Sequence, residues 1–196
     1  GKNSARRTIF MGQPSVAAYT LSQDLLGSYD ANVDLRYSHW FNSVKNVGWV
    51  WLKYSVLTAS PASEVSSEFL LRLPEVYLNK AEALIMLGRT EEAIDVLRTL
   101  REKRLAAGTT DVIPTSQEDL VQFVRLERRL ELCGEGHRWF DLRRYAVHPT
   151  FPEEKEIVHE SVKNGSKIGY YRLAPYSENS NNWVWPIPED AVIFND

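Results

Sequence analysis

Between Arg72 and Cys133 apolar residues recur at helical spacing, which bounds the helices closely. In LLRLPEVYLNKAEALIMLGR, Tyr77, Leu78, Ala81, Leu84 and Ile85 share one arc at about 100° per residue. Glu75, Asn79 and Glu82 fall on the polar side. Pro74 suits the first turn, where its missing N–H has no helical partner to lose. Gly88 can end the helix in the left-handed conformation. Thr90 then caps a second helix, roughly 91–107, with Glu91 and Glu92 at its positive end. That helix buries Ala93, Val96, Leu97 and Leu100, exposes Glu91, Asp95, Arg98 and Glu102, and stops at Gly108. So short a link makes the two helices antiparallel, with Ala81 and Ala93 at the centres of the facing arcs. The spacing Leu87-Gly88-x4-Ala93 is that of a tetratricopeptide hairpin, of which one clear copy is present.

A third helix starts at TSQEDL, where Thr115 with Glu118, or Ser116 with Asp119, can form a capping box. It covers 117–133 and ends at Gly134 and Gly136; a short helix, HRWFDLRRYA, covers 137–146. Outside this region the pattern changes. Residues 37–55 read as a β-hairpin, in which Trp49, Trp51 and Lys53 alternate with Val50, Leu52 and Tyr54, so that the two tryptophans share one face. A second hairpin is predicted for 156–173 around Asn164-Gly165. Residues 1–35 read mainly as loop with one short helix, and 58–67 as a polar link. The prolines of WVWPIPEDAVIFND exclude a central strand or helix interior there.

The third helix contains the strongest candidate chemistry. Glu118, Gln122, Arg125 and Arg129 cluster as its solvent face, and Leu120, Phe123, Val124 and Leu130 as its core face. Glu127 and Glu131 fall inside the apolar arc, one turn apart. Buried without partners, each carboxylate would cost several kcal/mol or take up a proton. His137, Arg138, Arg143 and Arg144 follow at once, so the expectation is that they fold back and neutralise the pair. A catalytic reading is a glycosidase-like carboxylate pair, but such residues flank the scissile bond, whereas these lie side by side on one helix. The structural reading is therefore preferred.

Composition removes other classes. A net charge of -3 gives no broad positive field for nucleic acid. No apolar run approaches the roughly 18 residues needed to cross a bilayer. The opening GKNSARRTIFMG lacks the apolar stretch of a secretory signal. Cys133 is the sole cysteine, which excludes an internal disulfide; it reads as a small buried residue. The histidines His39, His137, His148 and His159 lack metal-ligand spacing, and no cofactor is expected.

Three stretches carry a resemblance to a known family. They are RLPEVYLNKAEALIMLG (72–88), LERRLELCGEGHRWFDLRRYA (126–146) and VWPIPEDAVIFND (184–196); Asp34-x-Arg36 and Lys53-Tyr54 fit more loosely. In this order they resemble the SusD/RagB family over roughly residues 30–196. Pro74, and Phe194 before Asn195, depart from its pattern. The resemblance implies a mainly α fold: an α-α superhelix with a tetratricopeptide-like hairpin, small β-hairpins and long loops. It further implies a non-catalytic protein that binds glycans or other nutrients at the outer face of the outer membrane, beside a SusC-like TonB-dependent transporter. Family members are longer and carry a lipid-modified N-terminal cysteine, so the expectation is a single C-terminal domain, residues 1–196, of a longer protein.

No ligand motif transfers with the family. Sugar rings present C–H faces that stack on aromatic planes. Tyr37 and Trp40, beside probable turn residues, are the ligand-binding candidates, although core packing is the ordinary fate of such rings. Trp139 and Trp183 read as structural, as does a network of Glu127, Glu131, His137, Arg138, Asp141 and Arg143. The alternative function is a tetratricopeptide interaction module without sugar binding, which predicts further hairpins at a 34-residue period.

Overall fold

A computed structural model describes residues 21–44, 48–51, 53, 71–163 and 166–184. The protein is mainly α. Among the described residues its helices are α1 (Gln23–Leu26), α2 (Leu35–Trp40), α3 (Leu73–Met86), α4 (Thr90–Arg101), α5 (Gln117–Glu131) and α6 (His137–Ala146). Two antiparallel hairpins accompany them, β1 (Phe41–Val44) with β2 (Gly48–Trp51) and β3 (Ile157–Lys163) with β4 (Ser166–Leu173). The readings of 1–20, the 58–67 link, Asn164-Gly165 and the 185–196 tail, together with Tyr54 and the Trp51 side chain, lie outside the described residues.

The α3/α4 hairpin forms as its periodicity requires. Pro74 sits in the first turn of α3, and Gly88 takes φ 72° just beyond its end. Ala81 and Ala93 are fully buried in the main core with Leu78, Ile85, Leu97, Leu120 and Val124, which joins α3, α4 and α5. Ser116 caps α5, its hydroxyl accepting from Asp119 N at 3.2 Å and donating to the Asp119 carboxylate at 2.7 Å. A second, smaller core gathers Leu26, Tyr29, Phe41 and Leu130, with Tyr37, Trp40 and Trp49 packed at its edge. Trp139 stacks on Trp183 with centroids 5.2 Å apart, and Trp183 Nε1 donates to Ala174 O at 2.8 Å.

The structure departs from the sequence reading in several places. Thr90 is the first residue of α4 and Arg89 its N-cap, with no side-chain cap hydrogen bond. Residues 35–40 form α2 rather than the first strand, because Asp34 caps a helix by accepting from Arg36 N at 3.0 Å; the hairpin starts only at Phe41. Helix α4 ends at Arg101, not near 107, because the chain turns to pair with the segment before α2. Leu35 N donates to Arg104 O at 2.9 Å, and Ala106 N to Val33 O at 2.8 Å. Arg125, expected in solvent, is 3% exposed. It lies 4.3 Å from the Tyr145 ring centre and donates to Phe151 O at 2.8 Å, so the cation is both stacked and hydrogen-bonded. Finally, the polar side of α3 is an interface: Glu82 is 8% exposed and meets Arg144, while Asn79 accepts from Arg128 at 2.7 Å.

Nothing lies within 4 Å of a Cβ built on Gly88, so a side chain there meets only backbone strain. Gly88→Ala is predicted to destabilise by about 1–2 kcal/mol in urea unfolding, without changing the helical circular-dichroism signal.

Candidate functional site

Glu127 and Glu131 are 1% and 0% exposed, on the inner face of α5. Their charges are met from four distant segments. Arg36, itself 2% exposed, donates through Nη1 to Glu127 Oε1 at 2.6 Å and to Glu131 Oε2 at 3.2 Å. Its other edge is clamped by Asp34, with Nε to Oδ1 at 2.9 Å and Nη2 to Oδ2 at 2.8 Å. Arg101, in the last turn of α4, donates to Glu127 Oε2 and forks onto Asp111 with two bonds of 2.8 Å. Arg104 forks onto Glu131 at 2.8 and 2.9 Å. Arg72, immediately before α3, reaches Glu131 Oε1 at 3.1 Å, Glu131 O at 3.0 Å and both oxygens of Glu135 at 2.9 Å. Lys53 Nζ donates to Glu131 O and to Glu135.

The cluster holds five carboxylates (Asp34, Asp111, Glu127, Glu131, Glu135) and five cations (Arg36, Lys53, Arg72, Arg101, Arg104). Its net charge is zero. Parallel guanidinium–carboxylate bonds fix geometry as well as charge. Burial alone would push the Glu131 carboxyl up; the Arg104 hydrogen bonds, with the charges of Arg104, Arg36 and Lys53, outweigh it and bring the group down to about 2. Glu135 is likewise lowered: burial opposes, and its bonds to Arg72 and the Lys53 charge prevail. Lys53 shows the reverse balance, where burial exceeds the attraction of Glu135 and holds the amine down to about 8.

The expected neutralisation by the segment after the glycine turn does not occur at Glu127 and Glu131. That segment makes a separate set of contacts with α3 and α5. Asp141 accepts from Arg128 Nε at 2.8 and 2.9 Å and from Arg144 Nε at 3.0 Å. Arg144 also reaches Glu82. His137 Nδ1 is 3.7 Å from Glu75. Among the described residues Arg138 and Arg143 make no ion pair, and Arg143 Nε is buried without a hydrogen-bond partner. His137 and Arg144 turn to Glu75 and Glu82 on α3, and Arg138 lines a cavity beside α1 and β3, while Glu127 and Glu131 take their cations from other segments. Sequence reasoning missed Arg36, Lys53, Arg72, Arg101 and Arg104 as partners. The available signal was that Arg36, Lys53 and Arg72 sit in the quoted family stretches, outside any amphipathic pattern that explains them.

Tyr37 and Trp40 are both half-buried on α2. Tyr37 lies 5.5 Å from Trp49 and 6.2 Å from Phe41, centroid to centroid. Lys53 Nζ stands 3.8 Å from the Trp40 ring centre, and Arg36 at 5.9 Å. The charge network thus holds the ring from behind by cation–π contact. Cys133 is half-buried, and burial pushes its thiol up to about 11, which keeps it protonated and unreactive at neutral pH. Among the described residues no group of His, Cys, Asp or Glu could hold a metal ion, and no helix is long and apolar enough to cross a membrane.

Two predictions follow from this geometry. Glu131→Ala leaves Arg104 partly buried without its carboxylate and takes one partner each from Arg36 and Arg72, and should destabilise by about 3–5 kcal/mol in chemical denaturation. Glu160→Ala, at an exposed pair with Lys167, should leave stability almost unchanged. The pH dependence has a definite sign. Because the folded Glu131 carboxyl lies at about 2, below its ordinary 4.5, its stabilisation is complete above pH 4.5 and lost as pH falls toward 2. That loss amounts to roughly 3 kcal/mol, readable as an acid-side drop in unfolding free energy that Glu131→Gln does not show.

Comparison with known proteins gives the family. A stretch of 98 residues is 41% identical to "SusD-like protein P38" of Formosa agariphila, covering 47% of this chain and 20% of that protein. A stretch of 101 residues is 32% identical to "SusD-like protein P2" of the same organism, covering 48% of this chain and 20% of that protein. The matched part therefore spans about a fifth of the length of these relatives. The model of the SusD family matches residues 16–196, nearly the whole sequence, including the segments that supply both buried carboxylates and all five of their cations; the chain belongs to the SusD family.

Proposed function

We propose that this chain is the C-terminal domain of a nutrient-binding protein of the outer membrane, one that captures a glycan or similar nutrient without cleaving it. In this reading the complete protein is lipid-anchored at the outer face and hands its ligand to a SusC-like TonB-dependent transporter. Family membership supports the class. The state of the carboxylates carries the non-catalytic part. A glycosidase needs a carboxyl held proton-bearing near neutral pH, with a raised pKa, to protonate the leaving oxygen. Glu131 is displaced the other way, to about 2, and every oxygen of Glu127 and Glu131 already accepts from a guanidinium. Glu131 therefore holds no proton to donate near neutral pH, and both side chains are buried away from solvent.

Tyr37 and Trp40 are the proposed sugar platform. Half-exposure leaves ring surface for a sugar to cover, and the contacts behind them restrict their rotamers, which lowers the entropy lost on binding. The tetratricopeptide-module alternative draws support only from the α3/α4 hairpin. Among the described residues α5 and α6 do not repeat it: they follow a 15-residue connection, 102–116, and meet at a pair of left-handed glycines.

The test is calorimetric titration of the complete protein against a panel of oligosaccharides, with hydrolysis followed in parallel. Trp40→Ala and Tyr37→Ala should each weaken the best ligand about five- to tenfold, the size of one aromatic contact. Undiminished affinity in both variants would remove the platform, and release of shorter sugars would remove the non-catalytic reading.

A further inference from the structure

A cavity of about 450 Å³ lies between α1, the end of α5, the start of α6 and the first residues of β3, away from the paired carboxylates. Its size is within the range of ordinary small-ligand pockets. The charges on its wall do not balance. Three carboxylates line it, and each is already engaged: Asp24 by Arg129, Asp141 by Arg128 and Arg144, and Glu156 by Arg172. Two further cations, Arg138 and Lys155, line the same space and have no ion pair or hydrogen bond among the described residues. Arg138 is half-buried, Lys155 exposed.

An arginine partly removed from water with no carboxylate against it is a cost to the folded state. Both groups register it. Burial, then repulsion from Arg129, lowers the Arg138 guanidinium; burial, then Arg129 and Arg138, lowers the Lys155 amine. Elsewhere in the chain, buried guanidinium groups such as Arg36, Arg125 and Arg128 are given carboxylates. The start of α6 adds to the field: Gly136 supplies no side-chain cap, the first turn contains no acid, and His137 and Arg138 both line the cavity. Leu25, Leu132, Leu142 and Ile157 make an apolar part of the wall, and the protonated Cys133 thiol adds no charge.

We propose that this cavity binds a small organic carboxylate, with Arg138 and Lys155 receiving the anion and the leucine-lined wall covering the body that bears it. An inorganic anion would meet the two cations but leave the apolar wall uncovered, so an organic carboxylate fits better. That its body is a sugar ring, as in a uronic acid, rests on the nutrient-binding reading above; the preference for a carboxylate does not.

The experiment titrates the purified chain with glucuronate, cyclohexanecarboxylate, glucose and sulfate, by chemical-shift perturbation of amides at 133–142 and 155–158. At least one carboxylate should bind at least tenfold more tightly than glucose or sulfate. Arg138→Met and Lys155→Met should each weaken it at least fivefold, while Arg138→Met leaves the melting temperature unchanged or higher. The retained melting temperature separates a ligand site from a structural contact. Glucuronate preferred over cyclohexanecarboxylate supports the sugar; the reverse removes the sugar and keeps the carboxylate. Binding of neither carboxylate, equal binding of sulfate, or indifference to both substitutions would overturn the proposal. Trp40→Ala should not alter these titrations, so loss of the aromatic platform and loss of this cavity are read independently.

Discussion

Two ionised carboxylates on the core side of α5 set the terms for everything packed around them. Glu127 and Glu131 are excluded from water, and a buried charge without partners costs more than a small domain can absorb. Cations must therefore be delivered to one spot, and they come from α2, the chain before α3, the end of α4 with the turn after it, and Lys53 just beyond β2. Segments as far apart as residues 36 and 131 are fastened there. Replacing such a cluster by apolar residues is often neutral or stabilising, so its contribution is better described as specificity. In this arrangement Arg36, Arg72, Arg101 and Arg104 each meet a carboxylate through paired hydrogen bonds.

That arrangement has a functional corollary. Lys53, which bonds to Glu131 O and Glu135, also sits beneath the Trp40 ring, and Arg36 approaches the same ring from its place between the two glutamates. The charges that close the core also contact the Trp40 ring of the proposed aromatic platform. The buried acids are thus an architectural element with a link to the proposed ligand face. Arg138 and Lys155, by contrast, have no ion pair among the described residues, and the proposed carboxylate ligand would supply one.

Periodicity made α3, α5 and α6 legible in the sequence, and the burial of Glu127 and Glu131 was legible because both interrupt an apolar arc. Their partners were not. Helix geometry fixes which face a residue occupies, but it says nothing about which of the 23 lysines and arginines meets it across a hundred positions. Proximity in sequence favoured His137, Arg138, Arg143 and Arg144, and tertiary packing chose others. The alternation at 49–54 likewise drew 37–40 into a predicted hairpin, where a capping Asp34 makes helix. The same limit applies to Arg125, whose charge implied solvent until Tyr145 and Glu153 supplied a place for it inside. Hydrophobic pattern finds the elements, then; charge pairing between them is decided by the fold.

The central claim concerns the ionisation of one side chain, and it can be read at that atom. Carbon-13 NMR of the glutamate carboxyl carbons, with Glu131 assigned and pH lowered from 7 to 3, reports it directly. If the arginines hold Glu131 as described, its resonance stays at the ionised position throughout that range while exposed glutamates titrate. A midpoint at the ordinary value near 4.5, or above it, would contradict the account.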